Sequence, residues 1–376
     1  MDFGAWQAFL GDMLREPENG FLVSASAEGR IPVGYTCSYV PQVILSVDGL
    51  VPVRLRAPGA AGTEIADIYL SNVVCSYTRS LLEFAMDGRY DFLGGWVFAS
   101  GCDHIRRLLD NLVYLRTPRF THMVDVPHRR GAMALAWYEE ELCVLCARLS
   151  AAFGVDTGRA ALSRAISRYN DFNRKVQIIG DCRKEKNPPV SGTEFQRIMI
   201  ASLSGGRDQM MAALDRMAGE IPGRPGNNRY RARLMVVGGN VDDTAFIELL
   251  ESSGGIVVAD RFCTGSIPET ELIDEGGDPL KAIAKYTLDR QACPRMMEDF
   301  TERMAAILRT RDEYQADGVV IENLKFCDIW GIESALLVQA LRDAGVPVLR
   351  VERDYRQGSE GQLRTRVQAF IESMGK

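Results

Sequence analysis

The chain has 376 residues, which is more than one hydrophobic core usually serves, so we expect two or three domains. Hydrophobic residues make up 46% and charged residues 25%, as in ordinary soluble proteins, and the formal net charge of −6 argues against nucleic acid as a partner. No run of about 18 apolar residues occurs, which excludes a membrane-spanning helix.

The first part of the chain, 1–130, predicts an N-terminal α/β domain. It opens with an amphipathic helix that lacks the basic segment and long apolar core of a secretion signal. Extended apolar segments at 31–37 and 50–55 predict strands. Residues 73–90 predict an extended entry into a helix, and residues 94–112 predict a strand that leads into another helix. At each junction the apolar positions change from continuous runs to helical spacing, as βα units require.

The rest of the chain predicts a helical middle segment, 131–228, and a C-terminal α/β domain, 229–376. The middle segment has helical periodicity and ends in a Pro/Gly/Asn-rich turn. Strand and helix patterns then alternate to the C-terminus. The predicted fold class is therefore α/β, with two Rossmann-like or flavodoxin-like parallel-sheet domains joined by helices. The turn G-G-N-V-D-D at 238–243 either contacts ligand phosphates or only connects a strand to a helix.

Nine cysteines in a chain without a signal peptide indicate the reducing cytoplasm, where thiols stay free, bind metal or react. Cys143 and Cys146 form a C-x-x-C motif within a helical pattern, so we expect two small core residues on one buried helix face. Three further cysteines lie in polar or irregular stretches and are expected to be structural: Cys182, Cys263 and Cys293.

Cys75, Cys102 and Cys327 share a different position, because each follows an apolar extended segment and precedes a helix. The dipole and free N–H groups of a helix N-terminus favour the thiolate, which is the form that binds iron. Cys37 occupies a similar place. Position alone leaves two interpretations open for all four, a small core residue or a metal ligand.

All-sulfur ligation from separated segments suits an iron–sulfur cluster or structural zinc. The chain has only three histidines, and none forms H-E-x-x-H or a similar pair. Zinc normally uses closely spaced cysteine pairs, which these are not. An iron–sulfur cluster is therefore the favoured hypothesis.

Several distinct motifs occur in a fixed order along both α/β parts. They are G-Y-T-C-S-Y-V-P-Q-V-I-L (34–45), S-N-V-V-C-S-Y-T-R-S (71–80), G-G-W-V-F-A-S-G-C-D-H-I-R-R-L (94–108), L-K-F-C-D-I-W-G (324–331) and G-V-P-V-L-R-V-E-R-D-Y (345–355). With these motifs the chain resembles the 2-hydroxyacyl-CoA dehydratase D-component family, which also contains the subunits of ATP-dependent benzoyl-CoA reductase.

The resemblance implies one [4Fe–4S] cluster per subunit, held by Cys75, Cys102 and Cys327, with Cys37 as a neighbour rather than a ligand. Three protein ligands leave one iron with an exchangeable position, which in the family's catalytic subunits binds the thioester carbonyl of an acyl-CoA substrate. The implied partners are a larger homologous cluster-bearing subunit, as a heterodimer, and a separate ATP-hydrolysing iron–sulfur activator. The chain lacks G-x-x-x-x-G-K-[ST], which agrees with an ATPase on another chain.

The implied activity is radical chemistry in an oxygen-sensitive, anaerobic enzyme, because one electron added to a thioester or an aromatic ring gives a high-energy radical anion. We predict the smaller cluster-bearing subunit of a benzoyl-CoA reductase, an oxidoreductase that reduces the ring with low-potential electrons. One alternative is the β subunit of a 2-hydroxyacyl-CoA dehydratase, a lyase. The other is an accessory electron-transfer protein with a larger, double-cubane-type cluster.

Polar residues near these cysteines have two interpretations each. His104 is a candidate proton donor to a reduced substrate, or a first-turn residue that interacts with its own helix. Ser38 and Tyr39 either contact the cluster or thioester, or satisfy turn hydrogen bonds. Gln42 stands where relatives often carry an acidic residue, which leaves open whether this chain activates the substrate or only relays electrons.

Overall fold

The computed structural model describes residues 2–266, 271–290, 293–356 and 360–375. The N-terminal part contains four strands: β1 (Ile31–Tyr35), β2 (Leu50–Arg54), β3 (Gly95–Ala99) and β4 (Thr121–Val124). They form one parallel sheet in the order β2-β1-β3-β4. The strands β2 and β3 are buried along their whole length, which explains why their sequences are continuous apolar runs rather than alternating patterns.

The C-terminal part repeats this arrangement with β5 (Ala232–Gly238), β6 (Gly255–Arg261), β7 (Gly318–Leu324) and β8 (Val348–Arg353). These strands are also parallel, in the order β6-β5-β7-β8. Across both sheets the strands therefore lie in the same order: the second strand of that part of the chain, then the first, the third and the fourth. In such sheets the strand order reverses between the first and third strands, and ligands bind at the carboxyl ends of those two strands.

Helices surround both sheets and fill the segment between them. The N-terminal part holds α1 (Phe3–Met13), α2 (Gly20–Ala27), α3 (Ala66–Tyr69), α4 (Ser76–Met86) and α5 (Asp103–Arg116); the middle holds α6 (Ala132–Phe153), α7 (Arg159–Asp181), α8 (Gly192–Leu203) and α9 (Arg207–Glu220); the C-terminal part holds α10 (Ala245–Ser252), α11 (Pro279–Asp289), α12 (Phe300–Glu313), α13 (Asp328–Asp343) and α14 (Glu360–Met374). The predicted α/β class with two parallel sheets is confirmed. The sequence patterns did not reveal β4 or α11.

The helix α11 links the C-terminal part to the N-terminal core. Its buried residues Ile283 and Leu288 belong to the same apolar cluster as Val33 of β1 and Leu142 of α6. This cluster extends from the N-terminal sheet through the middle helices to a segment that follows β6. The two α/β parts therefore share a core rather than folding around fully separate ones.

The C-x-x-C motif lies on α6, as predicted, but its two cysteines differ in exposure. Cys146 is buried beside Leu142 and Leu145, and burial raises the pKa of its thiol to about 12. Cys143 is exposed, so the expectation of two buried cysteines on one face is wrong for this residue. The reason is that the buried stripe of α6 runs through 138, 142, 145, 146 and 149, and position 143 lies outside it.

Among the residues that the structure describes, none of the helices combines the length and the apolar character that crossing a membrane requires.

His122 on β4 makes the stability of the N-terminal sheet depend on pH. Burial, together with the adjacent Arg148 guanidinium, lowers the pKa of His122 to about 4. The unfolded chain therefore takes up this proton near pH 6.5, whereas the folded chain does not, so stability present above pH 6.5 is lost as the pH falls towards 4. Between pH 7 and pH 5 we expect this side chain to lower the free energy of unfolding by on the order of 1–2 kcal/mol.

The measurement is urea unfolding of the wild type and of His122→Gln at both pH values. The neutral glutamine is expected to reduce the difference in the free energy of unfolding between pH 7 and pH 5 by that amount. His128→Gln is the control, because this exposed ring has only a weak contact with a backbone carbonyl, 3.4 Å from the Arg295 oxygen. An unchanged pH dependence in His122→Gln would contradict the assignment.

Candidate metal centre

The three predicted ligands occupy the same position relative to a helix. Cys75 is the N-cap of α4, Cys102 that of α5 and Cys327 that of α13, and none of them makes a side-chain capping bond. Cys102 follows β3 and Cys327 follows β7, as predicted. Cys75 does not follow an extended segment, since a turn closed by the Val74 N–H bond to the Ser71 carbonyl precedes it. That expectation is wrong.

The fold brings these three cysteines to one apolar cluster. Cys75 is buried within it, and Cys102 and Cys327 pack against its surface. Burial raises the pKa of Cys327, and a negative charge on the nearby Cys75 or Cys102 sulfur would raise it further. Burial also raises the pKa of Cys102 to about 12. The N–H groups of α5 and α13 lower both values, but burial outweighs them, so the metal-free thiols are protonated.

His104 connects the segments that carry the three cysteines. Its Nδ1 accepts a hydrogen bond from the Cys75 amide at 3.3 Å, and its Nε2 lies 3.5 Å from the Asp328 carboxylate. His104 itself lies in the first turn of α5, two residues after Cys102, and Asp328 follows Cys327 directly. The imidazole therefore touches groups adjacent to all three thiols, which suits a positioning role. Its role as a proton donor stays a prediction.

Tyr355 fixes the two α/β parts against each other beside Cys75. Its amide donates to the Ser76 Oγ at 2.8 Å, and its hydroxyl accepts from the Ala57 amide at 2.9 Å. The same hydroxyl donates to the Asp242 carboxylate at 2.8 Å. This residue follows β8 and binds groups after β2 and β5 at once. Nothing in its sequence context predicts that role.

A second set of cysteines lies beside the first. Cys37 follows β1, Cys263 follows β6 and Cys293 precedes α12. Burial raises the pKa of Cys293, and the Cys263 and Cys37 thiolates raise it further. Burial likewise raises the pKa of Cys263 to about 11, with Cys37 among the groups that contribute. The three thiols are therefore close enough for the charge of one to change the pKa of another.

The two sets are neighbours and take their members from both parts of the chain. A Cβ atom on Gly101, next to Cys102, would lie 3.5 Å from the Cys37 Sγ. The first set has two cysteines from the N-terminal part and one from the C-terminal part; in the second set these numbers are reversed. Cys263 was expected to be structural, although it follows β6 as Cys37 follows β1. For Cys293, which lies in an irregular stretch, no such signal existed.

Ser38 and Tyr39 connect this second set to the surrounding protein. The Ser38 Oγ donates to the Cys263 carbonyl at 3.1 Å and accepts from the Arg54 guanidinium at 3.3 Å. The Arg290 guanidinium donates to the Ser38 carbonyl at 2.5 Å. The Tyr39 carbonyl accepts from the Tyr138 hydroxyl at 2.6 Å. Hydrogen bonds thus hold the turn that carries Cys37.

Gln42 is buried and relays hydrogen bonds between two tyrosines. Its Oε1 accepts from the Tyr35 hydroxyl at 3.0 Å, and its Nε2 donates to the Tyr169 hydroxyl at 3.3 Å. A neutral amide satisfies both groups because it offers an acceptor and a donor together. A carboxylate at this position would offer only acceptors, so both tyrosine hydroxyls would then have to donate to it.

The thiols are not arranged as a ready-made metal site. Within the described ranges, no group of three or more His, Cys, Asp or Glu side chains has a geometry that could hold a metal ion. The donor chemistry nevertheless fits an iron–sulfur cluster, because six cysteines and no histidine pair converge. The buried hydroxyls of Thr36 and Tyr39, on either side of Cys37, have no partner among the described residues and are suited to donate to a cluster sulfur.

Comparisons with known proteins match nearly the whole chain. A family model described as 2-hydroxyglutaryl-CoA dehydratase, D-component, matches residues 37–374. The chain is 25% identical to the putative dehydratase subunit YjiM of Escherichia coli K12, over 95% of both chains. It is 22% identical to the (R)-phenyllactyl-CoA dehydratase beta subunit of Clostridium sporogenes, over 96% of this chain and 97% of the relative.

A further relative is named as a subunit of a reductase rather than of a dehydratase. The chain is 23% identical to a benzoyl-CoA reductase subunit of Thauera aromatica, over 92% of this chain and 91% of that relative. The predicted resemblance is thereby confirmed. With the family match extending from Cys37 to within two residues of the C-terminus, the chain belongs to the 2-hydroxyglutaryl-CoA dehydratase D-component family.

Proposed function

We propose that this chain is the iron–sulfur subunit of an ATP-dependent enzyme that acts on acyl-CoA thioesters, with a [4Fe–4S] cluster held by Cys75, Cys102 and Cys327. The observation that carries the proposal is the convergence of these three helix N-caps on one apolar cluster. Family membership supports it, because the full-length relatives are named as subunits of dehydratases and of a reductase.

The protein around the thiols is suited to such a group. Three helix N-termini supply N–H donors and positive dipole ends to an anionic cluster, and the apolar surroundings exclude water. Metal binding must displace the thiol protons, so the raised pKa values make cluster loading depend on pH. When bound, the cluster would supply low-potential one-electron chemistry. His104 would keep the cysteine-bearing segments in place through the Cys75 amide and Asp328.

The substrate and partners are part of the proposal. We infer an acyl-CoA substrate, a larger homologous cluster-bearing subunit and a separate ATP-hydrolysing activator, in the cytoplasm. The nine free cysteines agree with a reducing compartment. Relatives of the dehydratase and of the reductase type match with 22% and 23% identity, so the comparisons favour neither reaction. The smaller subunit of a benzoyl-CoA reductase and a dehydratase β subunit stand as equal candidates.

The second set of cysteines favours one further candidate function. An accessory electron-transfer protein with a double-cubane-type cluster would need more thiols than one cubane uses. Cys37, Cys263 and Cys293 influence one another electrostatically, and Cys37 lies beside Gly101, the neighbour of Cys102. In this candidate the second set would hold a second four-iron unit linked to the first, and no acyl-CoA substrate would be required.

Anaerobic purification followed by iron and acid-labile sulfide analysis tests the proposal. We expect about four irons per chain for one cubane and about eight for two linked cubanes. Turnover is then measured with the native partner, activator, ATP and reductant, on benzoyl-CoA and on a 2-hydroxyacyl-CoA. Four irons with turnover of either substrate would support the first function. Eight irons without thioester turnover would support the accessory protein, and a chain with only zinc or no metal would contradict both.

Cys263→Ser separates the two cluster hypotheses directly. If only the first set holds iron, the variant is expected to keep about four irons per chain. If both sets hold iron, its content is expected to fall by about half. Cys143→Ser is the matched control, because this thiol is exposed and lies outside the buried stripe of α6. Loss of iron from the control would show that the sorting of the cysteines is wrong.

A further inference from the structure

The helix α6 presents an apolar face to the outside, opposite its buried stripe. A surface helix normally carries polar residues there. On α6, Met133 is 87% exposed, Trp137 55% and Val144 49% within the part of the chain that the structure describes. The indole N–H of Trp137 already donates to the Asp125 carbonyl at 3.3 Å, so the exposed part of its ring is apolar. Six exposed residues form a line along this face, which we call the α6 seam: Met133, Trp137, Glu140, Val144, Ala147 and Ala151.

The spacing of the α6 seam is that of helices which pack side by side. From Met133 to Ala151 the intervals alternate between four and three residues, as the apolar positions of a coiled-coil heptad do. Only Glu140 carries a charge in this line. With a rise of ~1.5 Å per residue the seam is about 27 Å long. It therefore suits a single helix of another chain.

The α6 seam is complementary to a second copy of itself. Its large side chains, Met133 and Trp137, lie in the first half of the helix, and its small ones, Ala147 and Ala151, lie in the second half. If two α6 helices pack antiparallel around a two-fold axis beside Leu142, Trp137 of each copy faces Ala147 of the other, and Met133 faces Ala151. Large residues then fill the space left by small ones. A parallel pair would instead set tryptophan against tryptophan and leave a gap between the alanines.

The charges beside the α6 seam agree with the antiparallel arrangement. Glu140 of one copy would face Val144 of the other, and Arg148 lies one helical turn beyond that valine. The exposed Arg148 guanidinium contacts the His122 Nδ1 at 3.0 Å and donates to the Thr121 carbonyl at 3.1 Å. A guanidinium has five N–H donors, so others remain for a carboxylate. Each copy thus offers a base near the acid of the other.

We propose that a second copy of this chain covers the α6 seam, in a two-fold homodimer whose two α6 helices pack antiparallel. A single helix pair is smaller than a standard protein–protein interface, so we expect a dimer that dissociates on dilution. None of the six cysteines of the two sets lies on α6, so the dimer does not depend on a bound cluster. In a complex with the proposed larger subunit, the seam would join two copies of that complex.

Sedimentation velocity of the full chain, purified anaerobically, tests this interface over about a hundredfold range of concentration. The mass is expected to rise from that of one chain to that of two. Val144→Glu is expected to weaken dimerisation at least tenfold, because it places a charge in the centre of the apolar seam. Val23→Glu is the matched control, since Val23 is a valine of similar exposure, 57%, on α2. This variant should dimerise like the wild type.

Cross-linking tests the antiparallel orientation. Cys143 is exposed, flanks the seam and lies one residue from the proposed axis, so the two Cys143 thiols would lie close together. A short bismaleimide is expected to join two chains of the wild type, and Cys143→Ser is expected to abolish the product. Cross-linking that does not require Cys143 would overturn the arrangement.

The remaining outcomes separate this proposal from its alternatives and from the cluster. A chain that is monomeric at every concentration, or a Val144→Glu variant that dimerises as tightly as the wild type, would overturn the homodimer. A monomer whose binding to a larger homologous subunit is blocked by Val144→Glu would assign the seam to that subunit and also overturn it. Cys327→Ala protein is expected to dimerise like the wild type, so a failure of the iron prediction would leave this result unaffected.

Discussion

Replacing Cys327 with Ala is expected to remove nearly all bound iron from the anaerobically purified chain. Cys327 is the only member of the first cysteine set that the C-terminal part supplies, and it caps α13 at the end of β7. Without it, the proposed cubane would keep two protein ligands from one part of the chain. Since structural clusters need their thiolate ligands to persist, the remaining pair is not expected to retain iron. The measurement is iron per chain together with the visible absorption of the cluster.

The control for this experiment is Cys146→Ala, which makes the same substitution at a buried cysteine of α6. Its iron content is expected to equal that of the wild type. Far-ultraviolet circular dichroism of both variants confirms that each is folded. Full iron content in Cys327→Ala, or loss of iron in Cys146→Ala, would show that the ligands were assigned wrongly.

Glu333→Ala is expected to destabilise the C-terminal part by about 3–5 kcal/mol. Glu333 on α13 accepts two hydrogen bonds from Arg303 on α12, at 2.6 Å and 2.9 Å. Both side chains are buried, at 8% and 4% exposure. Removing the carboxylate leaves a buried guanidinium that retains only bonds to carbonyl oxygens. Its bonds to the Met296 and Cys293 carbonyls hold the segment that carries Cys293, so this segment is expected to loosen as well.

Urea unfolding of the metal-free protein measures this change. Glu302→Ala is the matched control, because Glu302 lies on the same helix as Arg303 but forms a half-exposed pair with Arg130. Exposed pairs contribute between 0 and about 1 kcal/mol, so the control is expected to stay close to the wild type. Equal destabilisation of the two variants would mean that the buried pair contributes no more to stability than the half-exposed pair.

Local patterns predicted the strands except β4, and the strand-to-helix position of two of the three cysteines. They succeeded because a strand buried on both faces is rich in consecutive apolar residues, as in β3 and in the first half of β7. The position of Cys102 and of Cys327 follows from the end of the preceding strand and the start of the next helix. The turn before Cys75 was missed because Val73 and Val74 resemble the end of a strand, although the Ser71 carbonyl closes a turn there.

Features that depend on distant parts of the chain could not be read from sequence. Tyr355 joins groups that follow β2 and β5, and only the folded chain brings them together. The packing of α11 on the N-terminal core is equally long-range, because periodicity indicates which face of a helix is buried but not what covers it. The proximity of Cys263 to Cys37 across the two parts is long-range in the same way. The identical strand order of the two sheets is visible only in the structure, since their sequences show no repeat.

The division of the first cysteine set between both parts also limits when the proposed cluster could be loaded during protein synthesis. Cys75 and Cys102 leave the ribosome when more than half of the chain is still untranslated, and Cys327 emerges near the end. A nascent chain that stops before β7 lacks the third thiol and the helix that Cys327 caps. Iron delivery would therefore follow completion of the polypeptide, and any product truncated before α13 would remain without a cluster.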